Sequence, residues 1–272
     1  MFKWKCPTPN GLPSLPLLAL VASSLILLFA SAPIVEISLD RIFNSWGPLL
    51  DFLGYLLVSP DWPYLQQLGA KLLETVEMTL LATAIATVIS LPVGVLAAKN
   101  ASPHPMVYHF TREALSFMRA LPELVWALVF VSAVGLGPLP GVMALAFVTV
   151  GFMAKFIAES IEVVGEQAIE GIQSTGSNRI QTIMFAIMPQ ALPDFAGTLF
   201  YILDHNLRAA TILGLVGAGG IGYDMVMSMR LFNYNRIIMI AIAIYLLVTL
   251  IDRLSDILRH RIIEGSKHAR TR

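Results

Sequence analysis

The chain has 272 residues, 56% of them hydrophobic and only 13% charged, with a formal net charge of zero. That is about half the charge of a typical soluble domain, which excludes a soluble globular enzyme. No basic run is interleaved with aromatics, so nothing points to nucleic acid.

The composition is that of an all-α integral membrane protein, where each backbone polar group must find its partner within a helix. The first apolar run, Leu15 to Ala30, follows Lys3 and Lys5 and precedes Ala30-Ser31-Ala32, the layout of a secretion signal. Pro33 directly after that site disfavours cleavage. The charge-free stretch continues from Cys6 to Val35, enough for a span of about 20 residues, and a retained helix is expected. Cys6 stands alone and can form no internal disulfide. Glu36 to Gln67, with Trp46, Tyr55, Trp62 and Tyr64, reads as an external segment holding an interfacial helix. Residues 1–70 thus form an amino-terminal unit, 71–262 the main transmembrane domain and 263–272 a tail.

Met78 to Ala98 is the second expected span. Leu124 to Ala154 is too long for one crossing, and Gly135-Leu-Gly-Pro-Leu-Pro-Gly141 divides it into a third and a fourth. A fifth runs from Leu192 to Val216 and a sixth from Ile237 to Ile251, the last placed at the interfaces by Phe232, Tyr234 and Tyr245. Six helices put both termini on one side. With that side inside, 13 of the 18 basic residues are internal. Arg41, Lys71, Arg230 and Arg236 are external, and Arg208 lies within a helix. This is the positive-inside bias, and it sets residues 163–190 in the cytoplasm.

Those residues are the polar island of the chain. A short helix should end near Gly176, and a fresh start at Ser177 or Asn178 should run to a stop at Pro189. Ile169 and Ile172 share one face, so an apolar ridge is expected to project from the loop and fit a partner's groove. The alternative is a plain connection between two spans.

Charges inside spans cost about 3 kcal/mol each at the bilayer centre unless paired or hydrated. Asp204 and Arg208 are four apart and can pair along one face, with His205 adjacent. Arg119 and Glu123 repeat the spacing around Pro122, as do Lys155 and Glu159 near the headgroups. Arg208 reads either as half of a structural pair or as positive potential for a passing anion; Glu123 and Asp204 are candidates for the same passage. Gly217-Ala-Gly-Gly-Ile-Gly222 satisfies G-x-G-x-x-G, but a membrane helix precedes it where a dinucleotide fold needs a strand. Gly217, Gly219 and Gly220 instead permit close helix approach or irregular backbone along a passage. No G-x-x-x-x-G-K-[ST] is present, and no metal-ligand or catalytic spacing stands out.

Glu170, a glycine six residues on at Gly176 and a proline after thirteen more at Pro189 resemble the coupling loop of ABC-importer permeases. Arg119-Ala-Leu-Pro-Glu-Leu-Val-Trp-Ala-Leu-Val-Phe130, Val134-Gly-Leu-Gly-Pro138 and Asn206-Leu-Arg-Ala-Ala-Thr211 through Gly222 resemble the phosphonate/phosphite branch. Gly171 and Ile172 stand where that superfamily often has two alanines. The resemblance implies the type I (MetI-like) ABC-importer permease fold with about six transmembrane helices. It implies coupling through Ile169, Glu170, Gly171, Ile172 and Gly176. It further implies a second permease copy, two cytoplasmic ATPases that hold ATP and Mg, and an external binding protein. This chain itself then needs no cofactor. Two other classes stand beside an oxyanion importer: a permease of the same superfamily for methionine or another amino acid, and a stand-alone secondary transporter. The last would need an internal repeat, which the halves do not show.

Overall fold

The computed structural model describes the backbone of residues 15–31, 39–56 and 61–270. Lys3, Lys5, Cys6, Pro33 and Glu36 lie outside the described residues. The chain divides into two units, Met1–Leu57 and Val58–Arg272. The first holds α1 (Leu15–Ser31), α2 (Leu39–Asn44) and α3 (Trp46–Leu56). At 17 residues, α1 is about 26 Å long, slightly under the hydrocarbon thickness. Its large side chains, Leu20, Leu27 and Phe29 among them, are exposed as lipid-facing chains are.

The described residues of the second unit form helices joined by turns, with no strand. Its elements are α4 (Leu65–Ala97), α5 (Pro105–Met118), α6 (Glu123–Val134), α7 (Pro138–Glu162), α8 (Glu166–Gln173), α9 (Arg179–Thr182), α10 (Met188–Leu213), α11 (Gly220–Arg230) and α12 (Tyr234–Arg270). Among the described residues four stretches are long and apolar enough to cross a membrane: Trp62–Ala97, Pro138–Glu162, Arg179–Val216 and Tyr234–Ile257. The expected third span is a correction. The helix α6 has only 12 residues, about 18 Å, and cannot cross alone. It joins α5 across a bend of 86° at residues 119–122, and the two helices are long and apolar enough only together, as a broken span or a re-entrant loop. Pro122 is the residue before α6 and has an extended ψ of 151°, which turns the chain. Of the six expected spans, four are the long stretches and the third is this bent pair, while the first is the shorter apolar helix α1.

The helix α7 is the hub, and α4 packs along it closely because small residues face each other. A Cβ on Gly94 would come within 2.6 Å of Ile157 Cγ2, and one on Gly141 within 2.5 Å of the Ala218 carbonyl. Along α4, Thr75, Thr79, Thr83 and Thr87 each donate a hydroxyl to the carbonyl four residues back, at 2.7–2.8 Å. Their polarity is thereby satisfied in an apolar span.

Pro189 is a second correction. The helix does not stop there: Ile183–Ile187 form a π turn, in which the Met188 amide donates to the Ile183 carbonyl, and α10 runs on through Pro189. The wider turn accommodates a residue that has no amide hydrogen and whose ring would clash in a regular α-helix. The final helix is also longer than the apolar run from Ile237 to Ile251, since the more polar residues past Ile251 continue the same helix.

Candidate coupling segment and membrane passage

The polar island folds as its local signals require. The helix α8 is followed by Gly176 at φ +80°, a left-handed turn that a residue without Cβ adopts freely. Asn178 then caps α9: its Oδ1 accepts from the Gln181 amide at 2.9 Å, and Gln181 Oε1 accepts from the Asn178 amide at 2.9 Å. This reciprocal pair satisfies two amides that the helix leaves open. Arg179 donates to the Ser102 carbonyl and binds the segment to the α4–α5 connection.

The direction of the apolar ridge is a third correction. Ile169 and Ile172 do not project outward; both are half-buried and pack on the cluster that includes Ile157, Ile161 and Ile187. The i, i+3 spacing places them together, and the chain's own core is the apolar surface within reach. Glu170 and Gly171 are exposed on the opposite side, and a Cβ on Gly171 would meet nothing within 4 Å. Beyond Gly176, Ile180 (72% exposed), Met184 (60%) and Phe185 (70%) are open apolar side chains.

Around the same end, Arg112 Nη2 donates to both oxygens of Glu162 at 3.0 Å, and the Lys99 amide donates to Glu162 Oε1 at 2.7 Å. This clamp joins the middle of α5 to the ends of α4 and α7, and no sequence spacing marked it. Asp61–Arg236 (2.7 Å) and Tyr64–Asp224 (2.7 Å) lie at the other end, tying α4 to α12 and α11.

The glycine-rich turn combines left-handed backbone with close packing. Gly217, Gly219 and Gly220 lie at φ +81°, +79° and +70° and reverse the chain between α10 and α11. Gly214 and Gly222 supply the close approach, since a Cβ on Gly222 would lie 1.9 Å from the Thr211 carbonyl. The turn is fixed to α4, where Glu74 Oε1 accepts from the Gly220 amide and Thr75 Oγ1 from the Ile221 amide, both at 2.9 Å.

Deeper in the bundle, buried Asn206 joins three helices. Thr149 Oγ1 donates to its Oδ1, and its Nδ2 donates to Thr83 Oγ1, each at 2.9 Å. The expected Asp204–Arg208 pair is present, and Asp252 of α12 adds a second carboxylate 3.7 Å from Arg208. Arg208 is therefore matched by two acids. Glu123 is a fourth correction: its partner is His205 Nε2 at 3.2 Å, not Arg119, because the bend at Pro122 breaks the helical register between positions 119 and 123. Tyr201, His205 and Arg208 form an exposed stripe on α10, four and three residues apart. Glu123, Phe152, Tyr201 and His205 line a cavity of 130 Å³ between α6, α7 and α10. A polar stripe of this kind at bilayer depth faces water or another protein surface, not lipid. Lys155 and Glu159 pair at 3.8 Å. Of the partners that sequence reading missed, Thr83 alone had a legible signal, the four-residue threonine period of α4.

Comparison with known proteins matches residues 90–264 to the family of binding-protein-dependent transport system inner membrane components. The phosphite transport system permease protein PtxC of Stutzerimonas stutzeri is 41% identical over 212 residues, 78% of this chain and 77% of that protein. The phosphate-import permease protein PhnE of Mycolicibacterium smegmatis is 42% identical over 190 residues, 70% of this chain but 36% of that longer protein. In fold, the MetNI methionine ABC transporter in an inward-facing conformation gives a TM-score of 0.65 at 21% identity, covering 74% of this chain and 99% of that one. The chain belongs to the binding-protein-dependent transport system inner membrane component family and has the type I ABC-importer permease fold.

Proposed function

We propose that the chain is the membrane subunit of an ATP-driven importer for phosphite, a phosphonate or a related oxyanion delivered by an external binding protein. The observation that carries this reading is the 41% identity with a phosphite permease over most of both chains. Likeness to the methionine transporter is one of fold alone, and family membership replaces the secondary-transporter reading. Two copies would work with two cytoplasmic ATPases, which hold ATP and Mg and perform the hydrolysis. The exposed stripe of Tyr201, His205 and Arg208 would line the passage between the copies, with Glu123, Asp204 and the turn at Gly217, Gly219 and Gly220 around it. Ile169 and Ile172 would seat the coupling helix on the permease, leaving Glu170 and Gly171 toward the ATPase.

Uptake of phosphite, methylphosphonate, phosphate and methionine by cells carrying the complete transporter tests this reading. Uptake of methionine alone would overturn it. In the same assay Arg208→Ala should lower oxyanion uptake by more than about tenfold, because it removes the stripe's fixed positive charge and leaves Asp204 and Asp252 unmatched. Normal uptake by that variant would leave Arg208 outside the passage.

The proposed location is a bacterial inner membrane with both termini cytoplasmic. In a Cys6→Ser background, Ser177→Cys should be shielded from an impermeant thiol reagent in intact cells, and Trp46→Cys should react. The reverse labelling would invert the topology.

A further inference from the structure

Arg119 belongs to the motif at the α5–α6 bend, yet it has no part in the passage described above. It borders a cavity of 180 Å³ that Arg112, Glu113, Ser116 and Lys155 also line. Three cations therefore converge there, from α5, the bend and α7. Arg112 is already matched by Glu162. Lys155 has a carboxylate only at 3.8 Å, beyond hydrogen-bond length. Among the described residues Arg119 has no carboxylate within ion-pair distance.

Arg119 is nonetheless held on three sides. Its stem lies on the bare backbone of Gly151, where a Cβ would come 2.8 Å from Arg119 Cγ. Its guanidinium sits over the Phe152 ring, 5.4 Å from the centroid. Its Nε donates to the Leu115 carbonyl at 3.2 Å. Among the described residues neither terminal amino group has a hydrogen-bond partner, so both can donate. Gly151 is eleven residues from Glu162 at the end of α7, so this charge lies about 16 Å along the helix from that end. A half-buried guanidinium with no carboxylate beside it is costly unless an anion or water meets it.

We propose that this cavity binds a phosphate-class oxyanion, with Arg119 as a two-pronged anchor and Lys155 as the second cation. The planar fork of an arginine matches two oxygens of a tetrahedral oxyanion, and its fixed side chain loses little entropy on binding. At about 30 Å³ per water in the liquid, the volume holds several waters or one such anion with water around it. Two sources share this chemistry. One is the phosphate of an anionic lipid headgroup reaching between helices at the membrane boundary. The other is a free oxyanion leaving the passage, a source that rests on the cargo reading above.

The test uses the complete permease–ATPase complex. One arm measures binding of inorganic phosphite in phosphatidylcholine nanodiscs. The other counts phosphatidylglycerol molecules retained after detergent washing, by native mass spectrometry. Arg119→Gln should lose at least about tenfold in whichever interaction the wild type shows, and Arg119→Lys, which keeps charge without the fork, should lie between. Lys155→Gln, on α7, gives an independent variant should Arg119→Gln fail to assemble, with an expected loss of about threefold. Loss of phosphite binding assigns a free oxyanion, and loss of phosphatidylglycerol assigns a headgroup. Equal phosphite affinity and equal lipid count in wild type, Arg119→Gln and Lys155→Gln would overturn the site, as would a wild type that retains neither. If no oxyanion is imported yet phosphatidylglycerol is lost with Arg119, the cargo reading falls and the site stands.

Discussion

Alanine at Gly222 is expected to abolish the folded permease. The added Cβ would lie 1.9 Å from the Thr211 carbonyl oxygen and 3.1 Å from Gly214 Cα, with backbone on both sides and no flexible side chain to yield. Overpacking that side chains can absorb costs about 1–3 kcal/mol, and a backbone clash exceeds that range. Relief would require α11 to move off α10, which also breaks the bonds from Glu74 to the Gly220 amide and from Thr75 to the Ile221 amide. Gly197→Ala, on α10, is the matched control, since its Cβ would meet nothing within 4 Å. Detergent extraction followed by size-exclusion chromatography should show Gly222→Ala aggregated or absent and Gly197→Ala monodisperse. Two indistinguishable profiles would mean that the α10–α11 hairpin is looser than its geometry shows.

The second large effect is expected at the coupling segment. Gly176 has open space around it, so a side chain is opposed by its φ of +80° and not by a neighbour. Valine should cost about 1–2 kcal/mol there, a factor of roughly 5–30 in the population of the native turn, while asparagine tolerates the left-handed region. Gly176→Val should therefore reduce ATPase co-purification and substrate-stimulated turnover, and Gly176→Asn should retain most of both. This pair of variants separates backbone strain from the loss of a surface contact. Glu170→Ala truncates the exposed face of α8. If that face is an interface anchor, association should weaken by more than about tenfold, an effect of about 2 kcal/mol. Unchanged association and turnover in both Gly176→Val and Glu170→Ala would make residues 163–190 a plain connection.

Whatever depends on neighbours along the chain was legible in advance. Composition determined the membrane class, and the break at Gly176 with a restart at Asn178 was readable because caps and left-handed turns are settled within four or five residues. The Asp204–Arg208 pair followed from one turn of an unbroken helix. The same rule failed for Arg119 and Glu123, because an 86° bend lies between them and gives Glu123 to His205, 82 positions away. Pro189 misled as a stop signal because a π turn absorbs it, and nothing in the residues before it announces that turn.

Ile169 and Ile172 show the limit most clearly. Their spacing determined that they share a face, but an apolar face is equally satisfied by a partner's groove or by the chain's own core. Only the packing of α8 near Ile157, Ile161 and Ile187 decided that they point inward. Asp252 beside Arg208, Glu162 on Arg112 and Gly151 beneath Arg119 are likewise contacts between distant segments. A sequence sets which side chains a helix can present on each face. Which face meets which neighbour depends on the three-dimensional packing of all the helices at once, and that is where the charges of this permease acquire their partners.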